Sequence, residues 1–181
     1  MGLTPYYVIN ASAPAVTAII QAGHASPQMN TKLVFAAWGH VNSRLDSINR
    51  FRISLIKFLG QKSTQSWVKR EHHSLLMYWE TLPLYKFCIC PPGNGVQSPK
   101  FAEAWLTNTV PITISLPAFI DLKKMGFPLL LVEDWDALSP TLLKSEYEKT
   151  FQFINWTAVK TRLEPEQIVN LVTNNHYAEI E

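Results

Sequence analysis

Short runs of apolar residues alternate along this chain with longer segments of helical spacing. Lys32-Leu33-Val34-Phe35-Ala36-Ala37 reads as a buried strand that reaches a turn near Gly39. From Ser43 to Leu59, the residues Leu45, Ile48, Phe51, Ile53, Leu55, Ile56 and Leu59 recur at mixed three-and-four spacing, with Arg44, Arg50, Arg52 and Lys57 between them and Gly60 as a stop. That pattern predicts an amphipathic helix. Ser66-Trp67-Val68 reads as a brief strand, Ser74 to Leu82 as a helix ended by Pro83, and Tyr85 to Cys90 as another strand. Pro99 sits where a first helical turn begins, and Lys100 to Leu106 continues it. Val110 to Ile114 and Leu129 to Val132 are further strands, and helices are expected over Pro140 to Ile154 and Glu164 to Val172, started by Ser139 and Pro165.

Strands in alternation with helices predict an α/β fold: a mainly parallel sheet with helices on both faces, because parallel neighbours need crossover connections. At 181 residues one such domain is expected, spanning 32–181, behind a loop-rich arm over 1–31 with a short strand at Tyr6 to Asn10 and a helical piece at Ala15 to Gln21. Ligands of parallel sheets bind beyond the carboxyl ends of the strands. The loops after Ala37, Cys90, Ile114 and Val132 are therefore where function is sought.

Composition removes several classes of function. Apolar residues make up 47% and charged residues 17%, which is globular with somewhat few charges and fits a surface meant to be covered. A formal charge of +2 with scattered basic residues supplies no cationic stripe for nucleic acid. The first thirty residues lack Asp, Glu, Lys and Arg, but Pro5, Pro14, Gly23 and Pro27 interrupt their apolar stretches, which argues against a signal peptide and a membrane span. Cys88 and Cys90 are expected to be buried thiols whose side chains point to opposite faces of their strand, an awkward arrangement for a mutual disulfide. His72 and His73 are adjacent and lack ligand spacing, so no metal site is expected. Glycosylation sequons occur at Asn10-Ala11-Ser12 and Asn155-Trp156-Thr157.

The segment that carries chemistry is Pro91-Pro92-Gly93-Asn94-Gly95, where a strand turns towards a helix. Such a corner aims unpaired N–H groups and the positive end of a helix dipole at one point, which attracts phosphate. Gly93 and Gly95 permit close backbone approach and Asn94 tolerates left-handed torsions, so the run suits an anion-binding nest. The same residues also suit a plain turn. The run is neither a G-x-G-x-x-G fingerprint nor a P-loop.

A longer stretch narrows the reading. Lys86-Phe87-Cys88-Ile89-Cys90-Pro91-Pro92-Gly93-Asn94-Gly95 is continued by Lys100-Phe101-Ala102-Glu103-Ala104-Trp105 and Val110-Pro111-Ile112. In order and spacing this resembles the donor-binding segment of exostosin-like glycosyltransferases, typically K-F-x-L-S-P-x-G-N-G, then R-x-W-E-A-L, a glycine and x-P-I. Lys32 to Gly39 with the helix containing Arg50 and Arg52, and Leu129-Leu130-Leu131-Val132-Glu133-Asp134-Trp135, are also similar to that family. The resemblance spans about residues 32–145 and rests mainly on 86–112. Lys100 stands where the family has arginine, Ala102 where it has tryptophan, Gln97 near its acidic residue, and Asn108 at its glycine.

The resemblance implies the Rossmann-like, C-terminal half of a two-domain GT-B fold, with a nucleotide-diphosphate sugar as substrate and no resident cofactor. It implies phosphate contacts from Gly93, Asn94, Gly95 and Lys100, ribose contacts from Glu103, and transfer to a hydroxyl of an acceptor glycan or protein. A lysine offers charge to a diphosphate without the bidentate fork of arginine. The catalytic base is not identified. In GT-B enzymes it often comes from the N-terminal domain, and the residues before Lys32 are too few to build one. A separate N-terminal domain or a homo-oligomer would complete the site, and a Golgi or endoplasmic reticulum lumen is the compartment implied. His40, Glu133 and Asp134 are candidate sugar contacts, with a plain loop histidine and a helix cap formed by Glu133, Asp134 and Asp136 as the alternatives. Glu103 is equally readable as a solvated helix carboxylate and Lys100 as a surface lysine. Trp105 and Trp135 read as core or rim aromatics. The reading from another class is a non-catalytic protein-interaction module on the same scaffold.

Overall fold

Five strands, β1 (Lys32–Ala36), β2 (Val68–Arg70), β3 (Tyr85–Ile89), β4 (Val110–Ile114) and β5 (Leu130–Val132), lie all parallel in the order β2-β1-β3-β4-β5. The structure, a computed structural model, describes residues 17–18, 21, 30–37, 46–93 and 98–164. The expected strand at Tyr6 to Asn10, the start of the first long helix and the helix expected over Glu164 to Val172 fall outside the described residues wholly or in large part. Among the described residues the helices are α1 (Asp46–Gly60), α2 (Lys62–Gln65), α3 (Leu75–Thr81), α4 (Lys100–Leu106), α5 (Pro117–Lys124), α6 (Pro140–Lys149) and α7 (Trp156–Thr161), with Thr17, Ala18 and Gln21 also helical.

The sheet is covered on both sides, as an all-parallel sheet must be. On one face Phe35, Cys88 and Cys90 meet Tyr78 and Trp79 of α3, Phe101, Ala104 and Trp105 of α4, Phe119 and Leu122 of α5, and Val159 of α7. On the other, Val34, Phe87, Ile89 and Ile112 meet Leu55, Phe58 and Leu59 of α1 and Leu143 of α6. This is a Rossmann-like α/β fold. Pro111, which has no N–H to give a ladder, lies in a strand flanked on both sides. It is accommodated because the pairing of β4 with β5 begins one residue later, at Ile112 and Leu130.

Three expectations need correction. The cysteines share a face rather than opposing each other: residues two apart on extended backbone point the same way, and both join the cluster under α3 and α4 as free thiols. The strand expected at Ser66 to Val68 starts at Val68, because Trp67 N donates to Thr64 O and closes the short helix before it. The helix expected to Ile154 ends at Lys149, where Thr150 departs from helical torsions and a 3-10 turn over Phe151–Phe153 follows. Helices α5 and α7 were not expected. Leu116, before α5, gives no side-chain cap, while Asn155, read above as part of a sequon, accepts from Ala158 N at 3.1 Å and starts α7.

Asn108 takes φ +59° just past the end of α4. Asn108 N donates to Trp105 O and Thr109 N to Ala104 O at 2.8 Å, the paired bonds that close a helix through a left-handed residue. After glycine, asparagine is the residue that tolerates this conformation best.

Candidate functional site

In the order β2-β1-β3-β4-β5 the chain turns left after β1 and then crosses to the right of it, so the direction reverses between β1 and β3. In parallel sheets a reversal of this kind is where ligands bind, beyond the carboxyl ends of the strands. Ala36 and Ala37 end one side of it, and Cys90 to Gly93 the other. The glycine-bearing run singled out by sequence thus leaves from the strand at the switch point.

Pro91, Pro92 and Gly93 are buried. Arg52 of α1 donates through Nε to Pro92 O at 2.8 Å and so pins the loop from the opposite sheet face. Burial holds the Arg52 guanidinium pKa below its ordinary value. Asn94, Gly95 and Gln97 lie outside the described residues, as does His40.

Glu103 stands in the first turn of α4 and is only 3% exposed. It is therefore not a solvated surface carboxylate. Lys100 Nζ lies 3.8 Å from Glu103 Oε2 and 4.1 Å from the centroid of the Tyr78 ring, so the ammonium bridges a carboxylate and an aromatic face. The Tyr78 phenol is held well above its ordinary pKa, first by burial and then by the Glu103 carboxylate and the Cys88 and Cys90 thiols. The Glu103 carboxylate acts on it both through its charge and through a side-chain hydrogen bond. Cys90 is likewise raised well, by burial first and then by Cys88. Buried Glu103, Tyr78 and Cys90 and half-buried Lys100 thus form one polar group over the carboxyl end of β3.

The structure brings Lys100 and Glu103 together and leaves the acidic group of β5 apart from them. Glu133 and Asp134 are exposed at the end of β5, two strands from β3, or about 10 Å at ordinary strand spacing. Asp134 Oδ1 accepts from Asp136 N at 3.0 Å and caps the 3-10 turn Trp135–Ala137, the capping alternative named above. Trp105 and Trp135 are fully buried core residues, their indole N–H groups donating to Pro128 O and Phe51 O at 2.8 Å.

Tyr78 was missed by sequence reasoning. Nothing local marks it among Leu75-Leu76-Met77-Tyr78-Trp79, because its role depends on α4, far along the chain. Arg52 was visible only as one of several helical arginines.

Two shallow surface grooves, of about 430 and about 330 Å³, lie elsewhere. One is lined by Lys32, Trp67, Val68 and Tyr85 at the amino ends of the strands, the other by Phe127, Leu129, Ile154 and Arg162. Neither touches Glu103. The carboxyl end of β3 is the stronger candidate because it combines the switch point with a buried carboxylate. Among the described residues there is no group of three or more His, Cys, Asp or Glu placed to hold a metal ion, and no helix long and apolar enough to cross a membrane. No family model matches the chain.

Proposed function

We propose that this chain is the donor-binding domain of an exostosin-like glycosyltransferase, holding a nucleotide-diphosphate sugar in the crevice between β1 and β3. The observation that carries the reading is the burial of Glu103, at 3% exposure, beside the carboxyl end of the strand where the sheet order reverses. Carboxylates are seldom buried without a task, and a carboxylate in a crevice is an acceptor for ligand hydroxyls. The motif resemblance over residues 86–112 gives the ligand its class.

In this reading the diphosphate lies against the backbone of Gly93, Asn94 and Gly95 and the ammonium of Lys100, and Glu103 accepts from the ribose hydroxyls. Positive charge at the diphosphate stabilises the leaving nucleotide as the glycosidic bond breaks. A general base for the acceptor hydroxyl comes from a separate acceptor domain or chain. Glu133, Asp134 and His40 remain candidate contacts to the donor sugar.

Titration calorimetry with UDP- and GDP-sugars tests the reading. Binding that weakens at least about tenfold in Glu103→Ala, the loss of a charge-assisted hydrogen bond, supports it. Absence of binding by any nucleotide diphosphate at millimolar concentration removes it. The interaction-module reading draws on a different observation: Lys100 is already engaged by Glu103 and the Tyr78 ring, as in a structural ion pair. A stable oligomer by light scattering, indifferent to nucleotide and to substitution of Gly93 and Gly95, is its signature.

A further inference from the structure

We infer that Asn155 is the acceptor of an N-linked glycan when the chain passes through a secretory lumen, and that Phe153 is the surface on which the first sugar rests. Asn155-Trp156-Thr157 meets the acceptor pattern, an asparagine two residues before a hydroxyl with a residue other than proline between them. So short a pattern arises easily by chance, and the fold is what singles this one out. Exposure alternates along the segment: Phe153, Asn155 and Thr157 are exposed, whereas Ile154 and Trp156 pack against both core clusters. Ile154, at φ −62° and ψ 127°, is extended, so Phe153 and Asn155 on either side of it fall on the same side of the backbone. The other sequon, at Asn10, lies outside the described residues.

Asn155 starts α7 by accepting from Ala158 N through Oδ1 at 3.1 Å. Glycosylation takes place at the nitrogen of the same amide. Nδ2 bonds to the anomeric carbon of an oligosaccharide carried on a polyprenyl diphosphate, the C–O bond to the diphosphate breaks, one proton leaves Nδ2, and the polyprenyl diphosphate departs with the electron pair. The product is still an amide whose oxygen accepts, so cap and glycan coexist. Asn155 also borders the groove of about 330 Å³ beside Thr150 and Arg162, which leaves room for carbohydrate. Phe153 gives the sugar a place to rest. At 74% it is the most exposed large apolar side chain among the described residues, ahead of Ile53 and Met77 at 52%. One face of a pyranose carries C–H groups whose partial positive charge suits the negative face of an aromatic ring. Covering that ring also removes apolar surface from water.

The test carries the full chain into the lumen of a eukaryotic secretory host behind a cleavable signal peptide. Mass spectrometry after enzymatic glycan release in heavy-oxygen water should find the label at position 155. Thr157→Ala should abolish it while leaving the Asn155 cap in place, and Thr157→Ser should keep it. Occupancy is decided as the chain enters the lumen, so this readout does not require a variant to fold. An unmodified Asn155 on chains whose signal peptide has been cleaved, or a glycan at Asn10 alone, overturns the inference. The role of Phe153 is read from thermal unfolding of the glycosylated wild type, Thr157→Ala, Phe153→Ala and the double variant. In that cycle the glycan should raise Tm by about 2 °C or more with Phe153 present and by about 1 °C or less without it. Equal shifts in the two backgrounds overturn the platform role of Phe153. None of these outcomes depends on nucleotide binding.

Discussion

Arg52 of α1 donates to the Pro92 carbonyl at 2.8 Å, so a helix on one face of the sheet holds the loop that leads from β3 to a helix on the other. The bond is charge-assisted and partly buried, and its loss frees a loop whose two prolines already limit its torsions. Arg52→Ala should lower stability by about 1–2 kcal/mol in urea unfolding. An unchanged midpoint would mean that the loop is held by other contacts.

Lys100 serves two partners, a carboxylate and a ring. In the proposed complex its ammonium also meets the diphosphate. Lys100→Met should therefore weaken UDP by about fivefold to tenfold and uridine much less, since only the former carries phosphate. Parallel losses for both ligands in calorimetry would assign the lysine to packing instead.

Lys160 of α7 is 9% exposed, and burial pushes its pKa down from 10.5 to about 8. A cationic group depressed by folding binds fewer protons in the native than in the unfolded state between the two pKa values. Its contribution to stability therefore rises with pH from about 8 to about 10.5. Cys90 and Tyr78 act oppositely. Their pKa values are raised by folding, so stability is lost once the unfolded thiol and phenol ionise. The difference in unfolding free energy between wild type and Lys160→Met isolates the lysine. That difference should favour the methionine variant most at neutral pH and shrink through the stated window, and a pH-independent difference would contradict the assignment.

Two helices end through left-handed residues, Asn108 at φ +59° and Gly126 at φ +82°. Asn108→Ala should cost about 1–2 kcal/mol, the strain of a Cβ in that region. Gly126→Ala should cost more. There an added Cβ would sit 2.6 Å from Arg162 Nη1, so that the guanidinium must swing away and give up its bond to the Gly126 carbonyl, on top of the strain at this φ. Thermal unfolding gives the ranking, and equal melting temperatures for Gly126→Ala and wild type would refute the steric argument.

The legible parts of this chain were those with strong local signals. The runs at Lys32, Tyr85, Val110 and Leu130 became strands because each is apolar over its length and bounded by a turn or helix signal. Ser139 marked its helix because its hydroxyl caps Leu142 N at 3.2 Å. Helix α5 was hidden behind a leucine at its cap position, and β2 was displaced by a helical turn that competes for Trp67. Sequence reasoning named Gly93, Lys100 and Glu103 as candidates but could not give the depth at which Glu103 lies.

Period, turn chemistry and motif spacing are carried by neighbours in the chain, and from them the sequence alone determined an α/β scaffold. Strand order is different. It depends on which distant edges pair, as when Cys88 comes to lie between Phe35 and Pro111. Only that tertiary arrangement put the order reversal at β3, laid Tyr78 against Lys100, and buried the Glu103 carboxylate, because burial is a property of what packs around a side chain rather than of the residues beside it in sequence.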